Sequence, residues 1–232
     1  MNRTNFMTKK IILVLSIALV FIVACKSKKT NVSSATQKET SKVEKQPTAP
    51  EEKQEEIVKI STKYGDMYIW LYKATPLHRE NFLKLAKAGY YDSTTFHRII
   101  SGFMIQGGDP NSKDNDPYND GMGGPGYTIP AEIRDTIIHD RGALAAARTN
   151  NPQKASSGSQ FYICHSRGGT SFLDNQYTVF GIVIKGLEII DSIAEQPKDQ
   201  RDRPINNIMM KVTVEKRTLS QIITEFNYIP KQ

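Results

Sequence analysis

Between residues 96 and 184 the apolar residues come in short runs, 96–100, 103–106, 143–147, 160–164 and 178–184, with Gly, Pro, Asn and Asp breaking the chain between them. An amphipathic helix needs its apolar pattern sustained over ten residues or so, and these runs end before that. Short runs bounded by turn formers read instead as strands of a β-sandwich or barrel. A chain of 232 residues has room for one such domain with appendages, and not for two. Of its two cysteines, only Cys164 lies in this region, so no disulfide can brace the fold and a packed core must hold it. Cys164, within "FYIC", reads as a small packed hydrophobe.

The flanks complete the pattern. "IVKISTKYGDMYIWLY" alternates on both sides of Tyr64-Gly65-Asp66, setting Val58, Ile60 and Thr62 against Met67, Ile69 and Leu71 as a hairpin. "TPLHRENFLKLAKAG" predicts a helix capped by Thr75, with Pro76 in its first turn, Phe82, Leu85 and Ala86 on its apolar stripe, and Gly89 at its end. A second helix is expected over 187–195, with Leu187, Ile190, Ile193 and Ala194 on one face, and a last strand over 208–217. Strands first and last with two helices between argue for a closed sheet capped by helices. In the tail, 218–232, Thr218 and Gln221 can form a capping box for a short helix whose Leu219, Ile222, Ile223 and Phe226 should dock on the domain.

The formal charge of +7 suggests nucleic acid until it is located. Residues 1–24 hold Arg3, Lys9 and Lys10 and no acid, and 26–56 hold seven lysines against six glutamates, which leaves only +3 on 57–232. No run there interleaves clustered cations with aromatics, so no nucleic-acid partner is expected. Residues 1–10 are basic and 11–24 apolar, the order of an export signal. Fourteen apolar residues fall short of the roughly 20 that span a bilayer. "IVAC" resembles the bacterial lipobox, which implies a lipoprotein signal peptide over 1–24, acylation of Cys25 as a membrane anchor, and a place in the bacterial cell envelope. Residues 25–56, rich in Lys, Glu, Ser, Thr and Pro and poor in large apolar side chains, are expected to be a disordered tether. A folded domain is then expected over 57–217 and a helical extension over 218–232.

Several motifs dissolve on inspection. "GMGGPG" fits the dinucleotide fingerprint in letters, but no strand precedes it, Pro125 interrupts it, and Asp114, Asp116 and Asp120 would repel a pyrophosphate. A calcium loop begun at Asp116 has Tyr127 where a bidentate glutamate belongs, and His78, His97, His139 and His165 have no metal-ligand spacing. What persists is "FHRIISGFMIQGGD" (96–109), "GSQFYI" (158–163) and "SFLDNQYTVFG" (171–181). Together they resemble the cyclophilins, over about 57–217. That resemblance implies a mainly β fold, a closed eight-stranded antiparallel β-barrel capped by two α-helices, and a peptidyl-prolyl cis-trans isomerase with no cofactor, working as a monomer on proline-containing polypeptides. It places the catalytic arginine at Arg98, the proline pocket at Phe103, Met104, Tyr162 and Leu173, and polar clamps on the substrate backbone at Gln106 and Gln160. Ala147, Arg148 and Thr149 fall on the strand that pairs with the peptide. Arg148 stands where many members carry asparagine, Phe172 where eukaryotic members use a tryptophan to hold cyclosporin, and Tyr177 where a pocket histidine stands.

The chemistry suits those residue types. Twisting an X-Pro bond faces about 18–20 kcal/mol of lost amide resonance and makes no new bond, so it requires no nucleophile, metal or redox group. A cation donating to the imide nitrogen as its lone pair localises binds the twisted state more tightly than the planar one. Arg98 cannot lose its proton on partial desolvation, which explains a guanidinium among Phe96, Ile99, Ile100 and Met104. Alternation puts Phe96, Arg98 and Ile100 on one face and turns Phe103 away from Met104 and Gln106, unless Gly102 bends the chain. The function so implied is isomerisation of X-Pro bonds during folding of exported proteins. The alternative is a non-catalytic chaperone or adaptor that holds proline segments in the same groove.

Overall fold

The computed structural model describes residues 52–230. The expected signal peptide, the expected lipidation at Cys25 and most of the expected tether lie outside the described residues. Ten strands and three helices follow in chain order: β1 (Gln54–Thr62), β2 (Gly65–Leu71), α1 (Pro76–Lys87), β3 (Arg98–Ile100), β4 (Met104–Gly107), β5 (Thr128–Ile129), β6 (Ala143–Ala146), β7 (Ser156–Ser157), β8 (Phe161–Cys164), β9 (Val179–Lys185), α2 (Leu187–Ala194), β10 (Lys211–Thr218) and α3 (Leu219–Phe226). Strand β1 begins three residues before the expected boundary at Ile57, because Gln54, Glu55 and Glu56 pair with Thr218, Arg217 and Lys216 of β10.

Eight strands form one antiparallel sheet in the order β10-β1-β2-β9-β6-β8-β4-β3, while β5 and β7 make a separate small ladder. The expected closure is incomplete, since β3 and β10 stand at the sheet's two ends. The seam is carried by a single bridge, Thr95 with Met209, and by backbone bonds such as Phe96 N to Ile208 O at 3.0 Å and Met210 N to Thr94 O at 2.9 Å. With three residues, β3 is too short to supply a ladder on this side, and the segment before it does the joining.

One face of the sheet packs around Phe82, Tyr91, Phe96, Phe161 and Phe180, with α1 contributing Phe82, Leu85 and Ala86 and α2 contributing Ile190, Ile193 and Ala194. Phe161 meets Phe82 edge-on at 5.5 Å and Tyr91 at 5.9 Å. Strand alternation then decides what the other face carries. Ile99, Ile105, Leu144, Phe161 and Ile163 point into this core, so Arg98, Met104, Gln106, Ala145 and Tyr162 point out of it. Phe96 departs from the expected pattern: it lies in the core with Ile99 and not on the Arg98 face, because the β3 ladder starts only at Arg98 and the 93–96 backbone is bonded to 208–210 instead.

The hairpin turns at Lys63-Tyr64, one residue earlier than expected, and keeps Val58 opposite Ile69 and Ile60 opposite Met67. In α3 the capping box forms as expected, Gln221 N donating to Thr218 Oγ1 at 3.2 Å and Thr218 N to Gln221 Oε1 at 2.8 Å. Ile222 and Phe226 bury against Ile57 and Trp70 on the outer face of β1 and β2, leaving Leu219 and Ile223 exposed.

Candidate active site

The outward residues of β3, β4 and β8 meet in a cleft of about 140 Å³. That is close to the ~150 Å³ of an engineered cavity that accommodates a benzene ring. Tyr162, opposite Gln106 on β4, forms its floor, with Met104 beside it. Phe103, Leu173 and Tyr177 make apolar walls, and Ala147 and Arg148 close the side toward β6. Phe103 lines the cleft because Gly102, at φ +77°, reverses the chain just before β4. The reversal is pinned by His165: its backbone N–H donates to Phe103 O at 2.9 Å and its Nδ1 accepts from Gly102 N at 2.7 Å. Phe172 is left outside, 69% exposed, with its ring 5.6 Å from that of Phe103.

Arg98 stands at the rim. Its side chain is 42% exposed, 4.0 Å from the Asp202 carboxylate, and its Nη1 reaches Gln106 Oε1 at 3.5 Å. Asp202 is itself held by Lys198 at 2.7 Å, so the guanidinium is oriented without being fully neutralised. From Gln106 the bonds run in one direction: Gln106 Nε2 donates to Gln160 Oε1 at 3.2 Å, and Gln160 Nε2 donates to the carbonyls of Gly121 at 3.0 Å and Gly123 at 2.8 Å. Gln160 therefore spends its donors on the glycine loop. It and Thr149 line not the apolar slot but an adjoining cleft, which Gln106, Ala147 and Arg148 share. The loop itself is folded onto Asp109, whose Oδ1 accepts from Asn111 N at 2.8 Å and which also takes a bond from Gly121 N. At Gly123 an added Cβ would meet Asp109 Oδ1 at 2.2 Å, so the glycine there is a packing requirement.

Beneath the slot is a buried relay that the sequence did not disclose. His139 Nδ1 donates to Asp174 at 2.7 Å, which leaves Nε2 to accept from the Tyr162 hydroxyl at 2.9 Å. Its partners lie 23 and 35 positions away, and no local signal marks them. Burial pushes His139 below its ordinary value of 6.5, with Asp174 offsetting only part, so the ring is neutral and the Tyr162 hydroxyl is the donor. His78 and His97 are pushed down by burial in the same way. A histidine whose pKa is depressed by folding takes up its proton more readily when unfolded, so its contribution to stability is complete above about pH 6.5 and shrinks as pH falls below that. Thermal melts between pH 7.5 and 5 should show a midpoint falling below pH 6.5, and a flat profile over that range contradicts the assignment of three buried neutral imidazoles. Cys164 is packed beside Met104, its cross-strand partner, and its thiol is pushed up to about 11 by burial, as befits an unreactive core residue.

An antiparallel eight-stranded fold with a ring-sized apolar slot under an arginine is the arrangement that the resemblance to the cyclophilins implies. The chain belongs to the cyclophilin-type peptidyl-prolyl cis-trans isomerase family, whose model, cyclophilin type peptidyl-prolyl cis-trans isomerase/CLD, matches residues 57–215. It is 39% identical over 166 residues to the peptidyl-prolyl cis-trans isomerase-like 2 protein of Rhizopus delemar, a match that covers 68% of this chain and 28% of that one. With the peptidyl-prolyl cis-trans isomerase-like 3 protein of Dictyostelium discoideum the identity is 35%, over 66% of this chain and 91% of the relative. A crystal structure of a Cryptosporidium parvum cyclophilin type peptidyl-prolyl cis-trans isomerase in the presence of the dipeptide Ala-Pro superposes with a TM-score of 0.62 at 34% identity, covering 69% of this chain and 99% of that one. Similar relatives come from fungi, a slime mould and vertebrates. Their eukaryotic sources overturn the expected place in a bacterial cell envelope, which rested on the export-signal pattern of residues 1–24 and the lipobox-like residues 22–25.

Proposed function

We propose that the protein accelerates cis–trans isomerisation of X-Pro bonds in polypeptides, with the proline ring in the slot over Tyr162 and Arg98 acting on the imide nitrogen. The observation that supports this most is the placement of one half-exposed guanidinium at the rim of an apolar cleft large enough for a ring. As the bond twists, resonance is lost and the nitrogen lone pair becomes an acceptor, which Arg98 meets with a charge-assisted hydrogen bond. Gln106 orients the guanidinium and can bond the peptide backbone. Gln160 fixes Gln106 so that its carbonyl faces Arg98. Met104, Phe103, Leu173 and Tyr177 desolvate the ring, and Ala147 to Thr149 offer backbone to the substrate chain. A related solved protein crystallised with Ala-Pro present agrees with a proline-containing ligand.

We further infer that one chain is sufficient, since every group in this account comes from residues 98–177, and that the basic-then-apolar order of residues 1–24 delivers the domain to exported clients. Protease-coupled assay of the full chain on an Ala-Pro tetrapeptide tests the reading. Turnover well above the uncatalysed rate, which takes tens to hundreds of seconds, is expected. Binding of the peptide without turnover would instead favour a holdase on the same groove.

A further inference from the structure

Arg148 is built into the groove in a manner that backbone recognition does not require. It lies where the slot meets the adjoining cleft and lines both. Its guanidinium stacks over Tyr177 at 4.6 Å, its Nε donates to Gln176 O at 3.1 Å and its Nη1 to Thr149 O at 3.2 Å. Those three contacts fix the side chain's position while leaving Nη2 without a partner among the described residues. Neither Arg148 nor the nearby Lys154, whose Nζ bonds Asn175 O at 2.8 Å, makes an ion pair among the described residues. Of the carboxylates near the slot, Asp202 is paired with Arg98 and Lys198, while Asp174 accepts from the neutral His139 and keeps its charge without pairing with Arg148. The groove therefore presents an oriented guanidinium that no carboxylate pairs with among the described residues.

We propose that Arg148 makes this site selective for an acidic side chain immediately before the proline. The inference rests on the isomerase reading, which sets the imide nitrogen against Arg98. On this proposal the residues on the acyl side of the bond lie over the adjoining cleft, which Gln106, the partner of Arg98, and Arg148 both line. A carboxylate there finds the Nη2 donor of a guanidinium already held in place, so little ordering is left to do on binding, while a lysine at the same position meets like charge and is disfavoured. Because the pair is solvent-exposed, its effect is a factor of a few and is screened by salt, the Debye length shrinking from about 10 Å at 0.1 M to about 3 Å at 1 M.

The test compares kcat/KM of the full chain on tetrapeptides that differ only in the residue before proline, Glu, Ala or Lys, with a fourth peptide carrying Glu after it. At low salt the Glu-before peptide should exceed the Lys-before peptide by about fivefold, and the ratio should fall toward one in 1 M salt. Arg148→Lys should keep the sign of the preference, Arg148→Asn should flatten it, and Arg148→Glu should reverse it; each ratio is taken within one variant, so a general loss of turnover cancels. Equal rates for Glu and Lys in the wild type, an unchanged ratio in Arg148→Glu, or a gain only for Glu after the proline each overturns the proposal while leaving the isomerase reading intact. If no peptide is turned over, that reading fails, and calorimetric affinities for the same peptides carry the selectivity test with the same outcomes.

Discussion

Arg98→Ala is expected to reduce kcat/KM on an Ala-Pro peptide by two to three orders of magnitude while leaving the thermal midpoint within a degree or two of wild type. Removing a hydrogen bond that matters mainly in the transition state costs about 2.7–4 kcal/mol where such donors have been deleted from other active sites, and that is the factor expected here. Stability should hardly move, because the side chain is 42% exposed, its approach to Asp202 is 4.0 Å, and exposed pairs of that kind contribute about 0–1 kcal/mol. Arg98→Lys should recover only part of the loss, since a compact ammonium lacks the planar fork that lets one nitrogen bond Gln106 while another donates to the substrate. A variant that unfolds, or one that retains most of its activity, contradicts this assignment.

The second large effect is on the fold. Glu132→Ala should lower the unfolding free energy by roughly 2–4 kcal/mol. Three bonds end on that carboxylate: Leu77 N at 3.1 Å, His78 N at 2.9 Å and His78 Nδ1 at 2.7 Å. It therefore caps the N-terminus of α1 from 54 residues away, with the helix dipole in its favour. Losing a cap costs about 0.5–2 kcal/mol, and leaving the buried imidazole donor without a partner costs about 1–3 kcal/mol more. His78 also accepts from Ser156 at 3.0 Å, so the same deletion loosens β7. Glu132→Gln keeps one acceptor and should lose about half as much. Denaturant unfolding of both variants checks this, and a loss below about 0.5 kcal/mol for the alanine variant contradicts it.

These two residues also mark how far the sequence could be read. Arg98 stood out because a charged side chain in an apolar strand demands a reason, and strand alternation alone puts it with Ile100 on the face away from Ile99. The capping box at Thr218 and Gln221 was legible for the same kind of reason: its partners are three residues apart and local rules decide it. Thr75 shows where that logic ends. It occupies the cap position of α1, yet its hydroxyl donates to Tyr72 O at 3.3 Å and the capping falls to Glu132, which nothing near the helix announces. The His139 relay under Tyr162, the Gln160 bonds to the 121–123 carbonyls and the β5–β7 ladder are likewise made by residues distant in the chain. Phe96 was misplaced because alternation was carried through a segment whose backbone pairs with 208–210, a fact fixed by topology. Phe103 reaches the cleft because the positive φ of Gly102 interrupts the alternation, a place that only the resemblance, and not the strand pattern, led one to expect.

The central claim is that Arg98 acts on the twisting bond and not on the binding of the peptide. Two-dimensional exchange spectroscopy on an Ala-Pro peptide, with substoichiometric full-length protein, separates the two most directly. Wild type should give cis–trans exchange peaks, and Arg98→Ala should give the same binding shifts in the peptide without those peaks. Exchange peaks of wild-type intensity in the variant would mean that the rotation is eased by the slot alone and that the guanidinium is only a neighbour.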